Sequence, residues 1–193
     1  MPDRTPQQDA ERPLRADARR NRQRILDAAR DAFVEEGTDA QMEDIARRAG
    51  VGVGTIYRHF PTKRALVDEL VEQWLAGNAA VAAEALELPD AWEALSLYLR
   101  RGAEDMMQNR GLRQAYGDLG KLFEEGVGPK NRELVSNVGK LLDRCHEAGV
   151  LRADVGFAEF RALMYGLAMA SSNADTPGAQ QIYADVFLRG LRP

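Results

Sequence analysis

The chain has 193 residues, 45% of them hydrophobic, and a formal net charge of −4. That is enough apolar material for a real core and too much for a disordered chain, and the length suits one large or two small domains. The acidic average argues against a protein that coats nucleic acid with its whole surface, but it hides an asymmetry: residues 1–64 carry 13 Lys and Arg against 11 Asp and Glu, the remainder 13 against 19.

Residues 1–16 are polar, contain Pro2, Pro6 and Pro13 and show no periodicity, which predicts a flexible arm. It leads into an Arg-rich stretch with Arg15, Arg19, Arg20, Arg22 and Arg24. A helical pattern starts at Asp17, a suitable N-cap, with Ile25, Ala29 and Phe33 on one face and Gly37 as its stop. A short helix follows over Met42–Ala49, with Ile45, Ala46 and Ala49 inward and Gly50 at its end. A third runs over Val53–His59 and is broken by Pro61. Thr62 can cap a fourth helix that carries Leu66, Val67, Leu70, Val71, Trp74 and Leu75 and continues past Ala85.

Pro89 suits the first position of a fifth helix over 89–109, with Trp92, Leu95, Leu99 and Met106 on its apolar side. The Gly-rich residues 110–128 predict a short helix between loops. Another long helix spans 130–148 with Leu134, Val138, Leu141, Leu142 and Cys145, and stops at Gly149. Two last helices, 156–172 and 178–191, are divided by Asp175-Thr176-Pro177-Gly178. No alternating run is long enough for a sheet. The fold expected is all-α with about nine helices: an arm over 1–16, a three-helix unit over 17–64 and a helical domain over 65–193.

Two short helices around Ala49-Gly50-Val51-Gly52 match a helix-turn-helix, in which Gly50 supplies the positive φ of a sharp turn. Ile45, Ala49, Val51, Ile56 and Phe60 would fix the angle between them. Val53, Thr55, Tyr57, Arg58 and His59 would face outward, with groups able to bond phosphates or base edges. A helical hairpin inside a larger bundle would give the same pattern.

The residues themselves carry a resemblance. Ile45-Ala46, Ala49-Gly50-Val51, Tyr57-Arg58-His59-Phe60 and Lys63-Arg64-Ala65-Leu66 stand at the spacing of the DNA-binding signature of the tetracycline-repressor (TetR) family. The run from Arg24 to Phe33, followed by Gly37, is similar to that family's first helix, so the likeness covers residues 22–66. It implies a dimeric DNA-binding regulator whose variable C-terminal domain dimerises and binds a small ligand. It also implies that Tyr57, His59 and Lys63 hold phosphates, while Val53, Gly54, Thr55 and Arg58 face the major groove. Two positions depart from the family pattern. Gln41 stands where a Thr usually caps the second helix, and Gly52 where a Ser often caps the third. Each departure loosens a helix start by up to about 1 kcal/mol.

The C-terminal half gives weaker signals. Gly149 to Val155, followed by an apolar helix, resembles the stretch that precedes the last two helices of family members. Along that helix Ala158, Ala162, Gly166 and Ala170 recur every four residues, and small residues at that spacing let a second helix approach closely. That helix can belong to the same subunit, but the resemblance implies the same helix of a second one, which makes Ala162, Leu163, Gly166, Ala170, Ile182 and Val186 the candidates for a two-fold interface, with Leu167 and Phe187 adding apolar area beside them. Trp92, Met106, Tyr116, Phe123, Tyr165 and Met169 are the candidates for lining a ligand cavity.

Other signals are set aside. Gly50 to Thr55 lacks the strand and spacing of a dinucleotide fingerprint. Cys145-His146 offers too few ligands for a metal, and no Ser sits in a nucleophile elbow. No cofactor, metal or catalysis is expected. A lone cysteine fits a reducing compartment, and no apolar run reaches the 18 or more residues of a membrane span. The expected location is the cytoplasm, away from membranes, and the expected partners are double-stranded DNA, a small-molecule effector and a second copy of the chain. The reading that follows is a repressor released from a near-palindromic operator by its ligand. The alternative is a DNA-binding regulator without a ligand, governed by abundance or a protein partner.

Overall fold

The structure is a computed structural model that describes residues 6–109, Leu112, 128–172 and 178–193. Within them lie eight α-helices and no strand: α1 Pro6–Glu36, α2 Met42–Arg48, α3 Val53–His59, α4 Lys63–Leu86, α5 Ala91–Gln108, α6 Gly128–Glu147, α7 Phe157–Ser172 and α8 Ala179–Leu191. The short helix expected within 110–128 lies outside the described residues.

Two helix starts differ from expectation. α1 is helical from Pro6, so most of the stretch expected to be an irregular arm belongs to the helix. Its residues are mostly good helix formers, and a proline is tolerated in a first turn. α5 begins at Ala91 and not at Pro89. Asp90 explains the shift: its carboxylate accepts from the Glu93 amide at 2.7 Å, an N-cap bond that leaves Pro89 before the helix.

The first three helices form a head. Ile25, Leu26, Ala29 and Phe33 of α1 are buried against Ile45 and Ala46 of α2, Ile56 of α3 and Phe60 just beyond it. α2 ends in a Schellman turn: Gly50, at φ +62°, donates to the Arg47 carbonyl, and Val51 donates to that of Ala46. Only a residue without a Cβ takes that φ freely, which is why the turn between α2 and α3 is built on Gly50.

α4 runs from the head into the body. Thr62 caps it by accepting from the Ala65 amide at 3.0 Å. Leu66, Val67, Leu70, Val71, Trp74, Leu75, Ala79, Ala82 and Ala85 are all buried, too many for a single stripe, because α4 meets α1 near its start and α5 and α6 further on. Its most extensive partner is α6, which contributes Leu134, Val138, Leu141, Leu142 and Cys145. The Arg144 guanidinium fastens the far end of α4 by donating to the Leu86 and Leu88 carbonyls at 2.7 and 2.6 Å. α7 and α8 pack on α5 through Phe160, Met164, Leu167, Ala184 and Leu188. Burial pushes the Cys145 thiol up to about 11, and the thiol donates to the Ala91 carbonyl at 3.1 Å. This agrees with a core cysteine.

Candidate nucleic-acid interface

The head holds α3 with one side down and the other in solvent. Ile56 is the residue of α3 that is wholly buried, and Phe60 locks the next turn. The opposite side presents Val53, 45% exposed, Tyr57, 40% exposed, and the exposed Gly54 and Arg58. Thr55 and His59 are half-buried on its flanks. The structure therefore brings all the candidate contact residues of α3 onto one accessible surface, with Lys63 beside it in the first turn of α4.

Arg58, Thr55, Tyr57 and Lys63 on that surface have resting partners. The Arg58 guanidinium folds back along α3, donating to the Gly54 carbonyl at 3.2 Å and to Thr55 Oγ1 at 2.9 Å. The Tyr57 hydroxyl donates to Glu43 of α2 at 3.1 Å, and that bond, more than burial or charge, holds its pKa above the ordinary value. Lys63 Nζ donates to the Thr38 carbonyl at 2.5 Å and stands 5.8 Å from the centre of the Phe33 ring. These bonds are exposed, so an incoming phosphate can compete for the Arg58, Tyr57 and Lys63 donors.

Neither reading-head helix has a side-chain cap. Gln41 and Gly52 occupy the N-cap positions of α2 and α3, and neither side chain bonds the helix start. Gln41 instead donates to the Asp39 carbonyl at 2.7 Å. Rigidity comes from the other side of the turn. Arg24 of α1 donates to the Gly50 carbonyl at 3.3 Å, and Arg22 pairs with Glu69 of α4 at 2.8 Å while lying 5.2 Å from the centre of the Phe60 ring. Composition alone places both arginines in the basic segment, whereas the structure engages them in holding the head together. Their partners lie 26 and 47 positions along the chain, beyond the reach of local pattern.

The C-terminal helices present a second surface of opposite character. Ala162, Leu163, Gly166 and Ala170 of α7 are exposed, as are Ile182 and Val186 of α8, at 62% and 61%. A Cβ built on Gly166 would meet nothing within 4 Å. Leu167 is fully buried in the protomer and belongs to its core, while Phe187 is partly buried against that core.

Three of the suggested ligand-lining residues, Trp92, Tyr165 and Met169, have described side chains. Trp92 is half-buried under the Arg192 guanidinium, which lies 4.3 Å from its ring centre. Tyr165, 49% exposed, and Met169 project from the outer side of α7, beside Gly166 and away from the protein interior. The side chain of Met106, and all of Tyr116 and Phe123, lie outside the described residues.

Comparisons with known proteins meet this geometry at both ends of the chain. Residues 25–70 match the model described as bacterial regulatory proteins of the tetR family, and residues 89–193 match that of the SbtR-like transcriptional regulator C-terminal domain. The chain belongs to the TetR family. A TetR transcriptional regulator of Streptomyces coelicolor is 35% identical, superimposes with a TM-score of 0.65, and is matched over 89% of this chain and 98% of its own. A TetR transcription regulatory protein of Mycobacterium vanbaalenii is 36% identical, with a TM-score of 0.64 and coverage of 93% and 99%. Among curated proteins, an HTH-type transcriptional regulator of Staphylococcus aureus is 40% identical over 86 residues, 41% of this chain and 44% of that one. The match thus spans less than half the length of that curated relative. This TetR-family chain is accordingly a helix-turn-helix transcriptional regulator and not an enzyme. No helix among the described residues is long and apolar enough to cross a membrane.

Proposed function

We propose that this regulator is a homodimeric repressor whose two heads enter successive major grooves of a near-palindromic operator, and that a small molecule bound in its C-terminal domain releases it. In this reading Val53, Gly54, Thr55 and Arg58 face base edges, while Tyr57, His59 and Lys63 hold phosphates, Lys63 at the start of α4. The observation that carries it is the one-sided exposure of α3: its polar residues face solvent, while Ile56 and Phe60 fix the helix from beneath. The uncovered apolar side of α7 and α8 supports a two-fold joint there, a four-helix arrangement across the axis. The N-terminal part of α1, with Arg15 and Arg19, follows the DNA backbone or enters a minor groove beside the head. A chromosomal target and a lone thiol both fit the cytoplasm.

Release follows if the ligand binds one spacing of the heads better than the other, since the coupling equals that difference in affinity. The test is selection of duplexes from a random library with the full chain, then placement of the enriched site across a reporter promoter. Enrichment of a near-palindrome that lowers reporter output when the chain is present is the expected result. No enriched sequence, or a site that raises output, overturns the repressor reading.

A further inference from the structure

A cavity of about 400 Å³ lies at the joint between head and body. Arg30 and Asp31 of α1 form its head side, Trp74 and Gly77 of α4 one wall, and Asp105 and Asn109 of α5 its body side. Its volume falls within the roughly 300–1,000 Å³ of small-molecule sites. Trp92, Tyr165 and Met169 do not line it.

Asp105 is the group that gives this cavity a chemical preference. Its carboxylate accepts from the Trp74 indole N–H, from Asn78 Nδ2 at 2.9 Å and from Asn109 Nδ2 at 3.0 Å. All three donors are neutral. The ion pairs among the described residues do not include Asp105, and Arg30, on the head side of the cavity, pairs with Asp27 at 2.7 Å and donates to Gln73. Burial raises the Asp105 pKa, and the bonds from Asn78, Trp74 and Asn109 oppose that rise. A carboxylate has about four acceptor positions, and three are filled here. Among the described residues its donors are all neutral, so the partly desolvated carboxylate keeps an acceptor position that a cation can fill. The Trp74 ring beside it offers the flat surface that cations and aromatic bodies both favour.

We propose that this cavity is the effector site, and that its ligand is a small organic cation, an ammonium or amidinium carried on an aromatic or alicyclic body. The charge meets Asp105 and the body lies against Trp74. The proposal rests on the reading of the chain as a ligand-released repressor, sets the ligand at the joint between head and body and not within the C-terminal domain alone, and names its class. Placement at the joint supplies the coupling, because the walls belong to α1 of the head and to α4 and α5 of the body. An occupant that favours one setting of α1 against α4 biases the setting of the head.

Calorimetric titration of the full chain tests it, with tryptammonium, phenethylammonium and adamantylammonium as cations and indole-3-acetate as the matching anion. The cations are expected to bind once per chain, and the anion at least about tenfold more weakly. Asp105→Asn is expected to weaken the cations by at least about tenfold. Gly77→Leu is the second variant. It lines the cavity, a Cβ there meets nothing within 4 Å, and the added side chain fills the space while Asp105 stays intact. Binding should vanish in Gly77→Leu, with circular dichroism unchanged and melting no lower. No binding of any cation, tighter binding of the anion, or cation binding that survives both variants overturns the proposal. Retitration with the selected operator then separates the two readings. A cation that needs Asp105 yet leaves operator affinity unchanged keeps the site and removes its role as effector. A cation that lowers operator affinity in the wild type alone supports both.

Discussion

The head and the body expose opposite chemistries. In the head the accessible side of α3 carries a guanidinium, an imidazole, a phenol and a hydroxyl, over a core closed by Ile45, Ile56 and Phe60. In the body the accessible side of α7 and α8 carries Leu163, Tyr165, Met169, Ile182 and Val186, over a core closed by Phe160, Leu167 and Leu188. Polar groups on a short rigid helix suit a partner read through hydrogen bonds and charge. Contiguous apolar side chains around small residues suit a partner that excludes water. On the proposed reading one surface meets DNA and the other a second copy of the chain, and each assignment can be broken separately.

The largest effect is expected in the body. Gly166→Trp adds a bulky ring where the protomer leaves open space, so the fold should survive and the two-fold joint should not. Light scattering should report a monomer or a misaligned dimer, with operator affinity lost because each head then binds alone. A variant that stays dimeric and binds normally would move the joint elsewhere. In the head, Arg58→Ala should cost about 1–3 kcal/mol of operator binding, concentrated at one base pair. Equal loss on every sequence would reduce Arg58 to a backbone grip.

Smaller effects sharpen the comparison. Gly50→Ala forces a side chain into φ +62° and places its Cβ 2.4 Å from the Arg24 guanidinium. It should lower head stability by about 1–2 kcal/mol, measured by chemical denaturation, and leave dimerisation intact. Lys63→Ala should lower the slope of log K against log salt by about one unit on operator and random DNA alike. An unchanged slope with intact folding would remove Lys63 from the contacts. Deleting residues 1–16 should leave a folded dimer with lower DNA affinity, and unchanged affinity would make that stretch a passive extension.

The head was legible in the sequence because its determinants are local. Gly50 between two short apolar patterns, with Tyr57 to Phe60 and Lys63 to Leu66 at fixed offsets, defines the turn, the inner face and the outward face within 25 positions. The bounds of α3 and the start of α4 follow from the same local signals, Thr62 among them. The small-residue stripe of α7 was legible for the same reason, although Leu167 sits one step round the helix and turns inward. The cavity between head and body was not legible. Asp105 meets Asn78 and Trp74 across 27 and 31 positions, through the packing of α5 on α4, and no periodicity encodes that meeting. Aromatic and Met content pointed to Tyr165 and Met169, but apolar character alone does not say whether a side chain faces a cavity or the outer surface. The same limit hid Arg22 and Arg24, which the sequence shows only as part of an Arg-rich stretch and whose bonds hold the head together.

The central claim is that two heads held by α7 and α8 read one operator together. Mass measurement of the complex on the selected duplex, combined with a footprint of the same complex, tests it most directly. The account predicts two protomers per duplex and two protected half-sites whose centres lie about 34–36 Å apart, or a multiple of that. One protomer bound to a single unrepeated site would contradict it.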